Sequence, residues 1–423
     1  MNEIHTLFVV CFVAVLAPLL ARLPPLARTP VVVLELGLGI LIGPSGAGWV
    51  TSQGAIEFLG EFGLIFLFFQ AGFEFNPGKI GIAPLRLGAL AWLVSLGLSS
   101  VFMGLLYILE LVHAPLLVAL VLPTTSFGIL IPILRHTDDL ESDFGRYVLG
   151  AAAIGELVPV ILIAVALSHE HNIRHLHQIL LSIVFLATAI EALFFARSLR
   201  SERLSRMIVR WMGDSSVLPV RISILILLGF LSLANELGME VVLGAYAAGM
   251  MIAMLTKVEI LQYRLTSIGS GFLIPLFFIT SGVEFDLPTL VTSPASLARL
   301  VLFCGGFLFI RFVPVFLYKH VLPQRDLLPL ALFSATTLPL VVAMTYLGVR
   351  TGDMLPENAS ALVGAAIITV VVFPPLANLL RSKSKETRSD ASAAGAARRV
   401  AGLASAQFTR FIVFIAQKIW GNR

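Results

Sequence analysis

The sequence predicts an all-α polytopic membrane protein of about 13 transmembrane helices, arranged as two six-helix inverted repeats with discontinuous helices. Three observations predict it: apolar runs that recur along the chain, basic residues confined to alternate loops, and a motif that returns an odd number of spans later. The class follows from composition, because 58% of the 423 residues are hydrophobic and only 13% are charged. An ordinary soluble domain is far more polar.

Crossing the hydrocarbon core takes roughly 17 to 25 apolar residues. Thirteen segments meet that need, several of them short or interrupted by Gly and Pro: 4–22, 29–43, 55–74, 84–112, 114–134, 145–168, 175–197, 217–235, 239–256, 265–283, 296–319, 326–349 and 357–380. Arg22, Arg28, Lys79, Arg86, Arg135, Arg146, the run Arg197 to Arg210, Lys257, Arg264, Lys319, Arg325 and the tail from Arg381 then all fall on one side. The other loops hold the stretch Ser45 to Gln53, Glu236, Glu284, Asp286 and Asp353. Positively charged loops stay in the cytoplasm, which puts the tail inside and the N-terminus outside.

The net charge of +4 resides in those loops. It reads as a topology signal, and no nucleic-acid partner is expected. The first apolar span lacks a basic leader, so no cleavable signal peptide is expected. Cys11 and Cys304 lie far apart inside apolar spans and suggest neither a disulfide framework nor a metal cluster. With no cofactor motif and no hydrolytic constellation, the chain does not read as an enzyme, and no cofactor is expected.

The repeat is carried by Leu64-Ile-Phe-Leu-Phe-Phe-Gln-Ala-Gly-Phe-Glu-Phe-Asn76 in the third span. It returns with one insertion as Leu273-Ile-Pro-Leu-Phe-Phe-Ile-Thr-Ser-Gly-Val-Glu-Phe-Asp286 in the tenth. An offset of seven spans makes the copies point oppositely, with Glu74 at the cytoplasmic end and Glu284 at the outer end. Val32-Val-Leu-Glu-Leu-Gly-Leu-Gly39 and Val241-Val-Leu-Gly-Ala-Tyr-Ala-Ala-Gly249 share that offset more weakly. Secondary transporters have this architecture, with sites at the midplane between repeats. The implied units are residues 1–168 and 217–381 as the two repeats, 169–216 as a linker span with its basic loop, and 382–423 as a cytoplasmic tail. The tail's Phe408 to Trp420 reads as an interfacial amphipathic helix. No Gly-x-Gly-x-x-Gly unit signals an appended nucleotide-binding domain.

Spans five and twelve do not suit unbroken helices. Pro123-Thr124-Thr125-Ser126 with Pro132, and Thr336-Thr337 with Pro339, set hydroxyls among prolines at bilayer depth. Proline removes a backbone donor, and a break inside the membrane is tolerated only where protein or water meets the freed groups. A midplane cavity with half-helix ends aimed at an ion is therefore expected. The blander alternative is that the hydroxyls bond carbonyls one turn back in kinked helices.

Two charges stand alone in apolar spans. Glu156 is the single ionisable group of Gly150 to Leu167. An acidic group there costs roughly 2.5 to 3.5 kcal/mol on insertion scales, and such groups mark ion or proton paths. Arg311 stands alone in Val301 to Leu317 and stays protonated, so it needs a carboxylate or helix-end carbonyls. Glu156 is the natural candidate for that partner. Glu35, Glu61 and Glu191 read as structural or locally paired carboxylates.

Taken together, Pro30-Val-Val-Val-Leu-Glu-Leu-Gly-Leu-Gly-Ile-Leu-Ile-Gly-Pro44, Leu67-Phe-Phe-Gln-Ala-Gly-Phe-Glu74, Thr124-Thr-Ser-Phe-Gly-Ile129, Leu243-Gly-Ala-Tyr-Ala-Ala-Gly249 and Leu276-Phe-Phe278 resemble the monovalent cation:proton antiporters of the Kef and Na+/H+ exchanger-like superfamily, over about residues 4–380. The resemblance implies the antiporter fold with its two discontinuous helices crossed, a homodimer in a lipid bilayer such as a bacterial inner membrane, and Na+ or K+ exchanged for H+. It implies that Glu156 binds cation or proton with help from Thr124, Thr125 and Ser126, and that Arg311 compensates charge. No metal beyond the transported cation is implied. Family members carry Asp-Asp, Asn-Asp or Gln-Asp where this chain has Gly155-Glu156, so the first position offers no side-chain ligand. One carboxylate beside a permanent cation implies one proton per cation and electroneutral exchange. A Kef-like potassium channel or efflux pathway, an organic-anion transporter on the same scaffold, and a non-transporting sensor stay open as other readings.

Overall fold

The computed structural model describes residues 3–386, apart from 24–28, 75–79, 111, 113–114, 138, 167–216, 238–239 and 256–258. The first half contributes α1 (Glu3–Leu20), α2 (Val31–Ile42), α3 (Ala55–Glu74), α4 (Ile82–Ile108), α5 (Pro115–Val121), α6 (Phe127–His136) and α7 (Asp143–Ala166). The second contributes α8 (Leu218–Glu236), α9 (Val241–Leu255), α10 (Glu259–Ile268), α11 (Ile274–Val283), α12 (Leu287–Thr292), α13 (Pro294–Phe312), α14 (Gln324–Ser334), α15 (Pro339–Arg350) and α16 (Pro356–Glu386). A π turn, Gly269–Leu273, joins α10 to α11, and a 3-10 segment, Val313–His320, extends α13. Among the described residues nine helical stretches are long and apolar enough to cross a membrane. The seventh predicted span, Glu191 and the tail segment Phe408 to Trp420 lie outside the described residues.

Spans five and twelve are broken by short non-helical segments. Residues 124–126 separate α5 from α6, and residues 336–338 separate α14 from α15. The two segments cross: the Ser126 N–H donates to the Thr336 carbonyl at 2.9 Å, and the Thr124 and Thr337 hydroxyls meet at 2.9 Å. Pro123 and Pro339 border the breaks as expected, but Pro132 does not. It lies inside α6, where it withholds the donor that the Gly128 carbonyl would otherwise receive. The second predicted span is also shorter than expected. Its helix ends at Ile42 because Gly43 and Pro44 follow, Pro44 having no N–H to continue it.

The helices form two bodies. One packs α1, α2, α3, α8, α9, α10 and α11 together, and the other packs α4–α7 with α12–α16. Between them the main contacts are α9 against α7 and α11 against α15. The crossover and Glu156 belong to the second body, termed the core. The first is termed the scaffold.

Glycines hold the scaffold together in a way that displays the inverted repeat. A Cβ on Gly39 would strike the Ile279 carbonyl, and one on Gly282 the Leu36 carbonyl, so α2 and α11 touch backbone to backbone. A Cβ on Gly249 would strike the Phe69 carbonyl, and one on Gly72 the Tyr246 carbonyl, which is the same arrangement between α9 and α3. Each carbonyl stands three residues before the partner glycine. Gly39 corresponds to Gly249 and Gly72 to Gly282 in the sequence repeat, so one helix pair is the inverted copy of the other. Without a hydrophobic driving force between helices in lipid, close approach at small residues supplies the packing attraction.

At the face holding the basic loops, Arg381 near the end of α16 ties the core. It donates to Asp139 at 2.8 Å, lies 3.1 Å from Asp326 at the start of α14, and stands over the Phe144 ring at 3.5 Å. All of these elements converge on the half-helices α6 and α14.

Gly282→Ala is expected to force α2 and α11 apart and lower the melting temperature in detergent, at a cost of about 1–3 kcal/mol. Gly37→Ala on the same helix, where a Cβ meets nothing within 4 Å, is expected to leave melting unchanged.

Candidate functional site

At the site, several backbone groups freed by prolines and breaks find partners. Proline cannot donate to the carbonyl four residues earlier, so each proline here leaves an acceptor bare. Pro123 frees the Ala119 carbonyl, which receives the Ser99 hydroxyl at 2.7 Å. Pro314 frees the Ile310 carbonyl, which receives the Ser95 hydroxyl at 3.2 Å. Pro159 frees the Gly155 carbonyl, which receives the Thr125 N–H at 3.0 Å. That last bond docks the crossover onto α7 one residue before Glu156.

Glu156 is partly exposed, and its Oε2 accepts from the Phe127 N–H at 2.7 Å. Phe127 opens α6, so the carboxylate sits at a helix N-terminus, where unsatisfied N–H groups favour negative charge. Arg311 is buried and does not pair with Glu156. Its Nη2 donates to the Pro123 carbonyl and to the Thr125 hydroxyl at 2.7 Å, and its Nη1 reaches the Ser95 hydroxyl at 3.4 Å. The expected ion pair is thus replaced by two separate compensations: the half-helix start for the carboxylate, and the backbone just past the end of α5 for the guanidinium. The break supplies both partners, an unpaired amide and an unpaired carbonyl.

Gly155 makes this possible. A Cβ there would stand 2.7 Å from both Arg311 Nη2 and Thr125 Oγ1. The guanidinium therefore fills the space that a side chain at the first position of the pair would need.

The predicted hydroxyls fall into distinct environments. Thr125 is saturated, donating to the Ser334 carbonyl at 2.5 Å while accepting from Arg311. Thr336 bonds back to Leu332 at 2.9 Å, the blander arrangement. Thr337 lies in the second break, with its backbone N–H and carbonyl held by the Thr369 hydroxyl at 3.2 and 3.0 Å. Ser126 is buried beside Phe127, with its backbone N–H on the Thr336 carbonyl.

A second carboxylate faces the site from the scaffold. Glu74 at the end of α3 has its Oε2 4.0 Å from where a Cβ would stand on Gly128, in the first turn of α6. It is within electrostatic reach of Glu156. Gln70, one turn earlier, donates to Glu74 at 2.9 Å and to Ser270 in the π turn at 3.0 Å. Gly269 leaves room for that amide, since a Cβ would stand 2.7 Å from its oxygen. π turns recur at functional sites. Tyr246 on α9, buried, also lies within electrostatic reach of Glu156. In the sequence Glu74 and Tyr246 stand within the repeat and resemblance motifs, with no site role expected for either. The spacing of Gln70 and Glu74, one helical turn apart in an apolar span, was the available signal.

Gly155→Ala is expected to dislodge Arg311 from the crossover and destabilise the core by about 1–3 kcal/mol, measured by thermal unfolding in detergent. Arg311→Met removes one of the two donors to the Pro123 carbonyl. Trp92 Nε1 still donates there at 2.9 Å, so the smaller loss is expected for this variant.

The model of the family described as "Sodium/hydrogen exchanger, transmembrane" matches residues 11–378. A Bacillus subtilis (strain 168) protein named as a Na+/H+ antiporter, YjbQ, is 29% identical over 389 residues, covering 88% of this chain and 62% of its own length. The glutathione-regulated potassium-efflux system protein KefC of Klebsiella pneumoniae (strain 342) is 28% identical over 375 residues, covering 85% of this chain and 57% of its own length. The chain thus spans about three fifths of the length of these curated relatives. The fold matches the sodium proton antiporter MjNhaP1 of Methanocaldococcus jannaschii with a TM-score of 0.62 at 17% identity, covering 90% of this chain and 99% of that one. With 11–378 of its residues matched by the family model, this chain belongs to the transmembrane sodium/hydrogen exchanger family.

Proposed function

We propose that the chain exchanges a monovalent cation, Na+ or K+, for protons by alternating access, with Glu156 as the shared site. The observation that carries this reading is the bond from the Phe127 N–H to Glu156 at 2.7 Å, which holds a partly exposed carboxylate at the start of a half-helix. The carboxylate's other lone pairs, Ser126 Oγ and carbonyls of the breaks suit a dehydrated cation. A proton on Glu156 neutralises the same group, so the two occupants exclude each other.

The exchange is electroneutral in this reading. Glu156 moves with the core and carries one charge equivalent, a cation or a proton, in each direction. Arg311 is fastened to the crossover backbone and travels as a constant charge. Glu74 belongs to α3 in the scaffold, so it attracts the cation into the vestibule without crossing with it. The scaffold would serve as the fixed, homodimeric part in a bacterial inner membrane, with the N-terminus outside and the C-terminus in the cytoplasm.

A potassium-efflux role is the second reading, favoured by the likeness to KefC. An organic-anion substrate is disfavoured, because the hydrogen bonds from Arg311 go to Pro123, Thr125 and Ser95.

In proteoliposomes, Glu156→Gln is expected to abolish cation-driven proton flux, and residual flux would refute its role. Because one proton competes with one cation, the half-saturating cation concentration should rise about tenfold per unit of falling pH on the acid side of the carrier's titration. A potential-sensitive dye should report no voltage during exchange. Glu74→Gln is expected to raise half-saturation severalfold while leaving the maximal rate nearly unchanged.

A further inference from the structure

We infer that Arg350, with Glu57, Glu61 and Tyr346, forms the gate that closes the path to Glu156 on the face opposite the basic loops. Arg350 ends α15, a core half-helix, while Glu57 and Glu61 lie one turn apart at the start of α3 in the scaffold. Its guanidinium pairs with Glu61 and stands 3.4 Å from Glu57. The same guanidinium donates to the Tyr346 hydroxyl at 2.7 Å. Beneath this ionic layer, the Tyr346 ring meets Phe277 of α11 edge to face, with centroids 6.1 Å apart. α11 against α15 is one of the two main contacts between core and scaffold. The bridge and the aromatic pair therefore both span the boundary along which the two bodies must slide.

The opposite end of that boundary is polar. There Glu156, Glu74 and Gln70 flank the first turn of α6, with Glu156 partly exposed. This conformation is closed at the Arg350 end and presents Glu156 toward the basic face. Opening the other way requires Arg350 to leave α3. The charged groups at this end include Glu57, Glu61, Glu284 and Arg350, with Glu3 beside Gly54 and Asp353 bonded to Thr351, and Glu284 lies within electrostatic reach of Tyr346 and Glu57. Pulling Arg350 away thus leaves three carboxylates facing an open vestibule, a surface that admits a cation. The gate is light: the side chains of Arg350, Glu57 and Glu61 are 45%, 41% and 39% exposed, and exposed ion pairs contribute little. A light closure suits a gate that must open in every cycle.

This inference rests on the alternating-access reading, and its test reports conformation independently of flux. In the full chain carrying Cys11→Ser and Cys304→Ser, a reporter Val342→Cys lies one turn below Tyr346 on α15, and a second reporter, Ser270→Cys, lies in the vestibule at the basic face. Proteoliposomes of defined orientation are treated with a membrane-impermeant maleimide from the face nearest each reporter. Arg350→Met, and separately Glu57→Gln with Glu61→Gln, are expected to speed labelling at 342 about fivefold and slow it at 270. Charge reversal, Arg350→Glu, should do the same, and adding Glu57→Arg with Glu61→Arg should restore slow labelling. Unchanged rates at 342 would overturn the gate, as would faster labelling at both reporters, which indicates general loosening. If Glu156→Gln abolishes flux while the gate variants shift labelling, both readings stand. If the gate variants shift labelling but Glu156→Gln still transports, only the carrier assignment fails.

Discussion

The interaction on which the structure depends is the satisfaction of backbone groups where water is absent. Breaking a helix at bilayer depth exposes amides and carbonyls that cost several kcal/mol each if left bare. Here the bare groups are paired one by one: Ser99 with Ala119, Ser95 with Ile310, Thr125 with Gly155, Ser126 with Thr336. Two of the freed groups are met by charge, the Phe127 amide by Glu156 and the Pro123 carbonyl by Arg311. The ionisable residues are thus part of what makes the break affordable, because each meets a backbone group that the break leaves free. Glu156 and Arg311 each have their own backbone partner, so neither depends on the other for its place in the crossover.

In the proposed exchange, the division into core and scaffold gives the movement its direction. Carbonyl contacts at Gly39, Gly282, Gly72 and Gly249 leave no slack between the scaffold helices. By contrast, core and scaffold meet chiefly along α7 with α9 and α11 with α15. Rigid bodies joined along narrow seams slide more readily than they deform, which is the general pattern of alternating access. The carboxylate pair at the first turn of α6 draws one member from each body, so relative motion changes their separation and with it the field at the site.

Much of this was legible in the sequence, for identifiable reasons. Span length, the breaks at Pro123 and Pro339, and the odd-offset repeat are one-dimensional signals, since hydropathy and proline position constrain backbone directly. Pairing is different. Arg311 and Glu156 each demanded a partner, and matching them was the simplest solution on charge alone; the crossover backbone competes for both because the break leaves it unpaired. Pro132 misled because a proline within a few residues of a break need not cause it. Pro159, four residues after Gly155, carried the information that the Gly155 carbonyl would be free, yet only the fold reveals that the Thr125 amide takes it. The contact between Glu74 and α6, and that between Arg350 and α3, join residues distant in sequence and leave no local pattern.

The knot at Arg381 has a mechanical meaning. One side chain near the end of α16 holds Asp139 after α6, Asp326 at the start of α14 and the ring of Phe144 in α7. Those three elements lead, within a few turns, to both crossing strands and to the helix of Glu156. Tension applied at the end of α16 would therefore reach Glu156 through a single lever arm, bypassing the scaffold altogether.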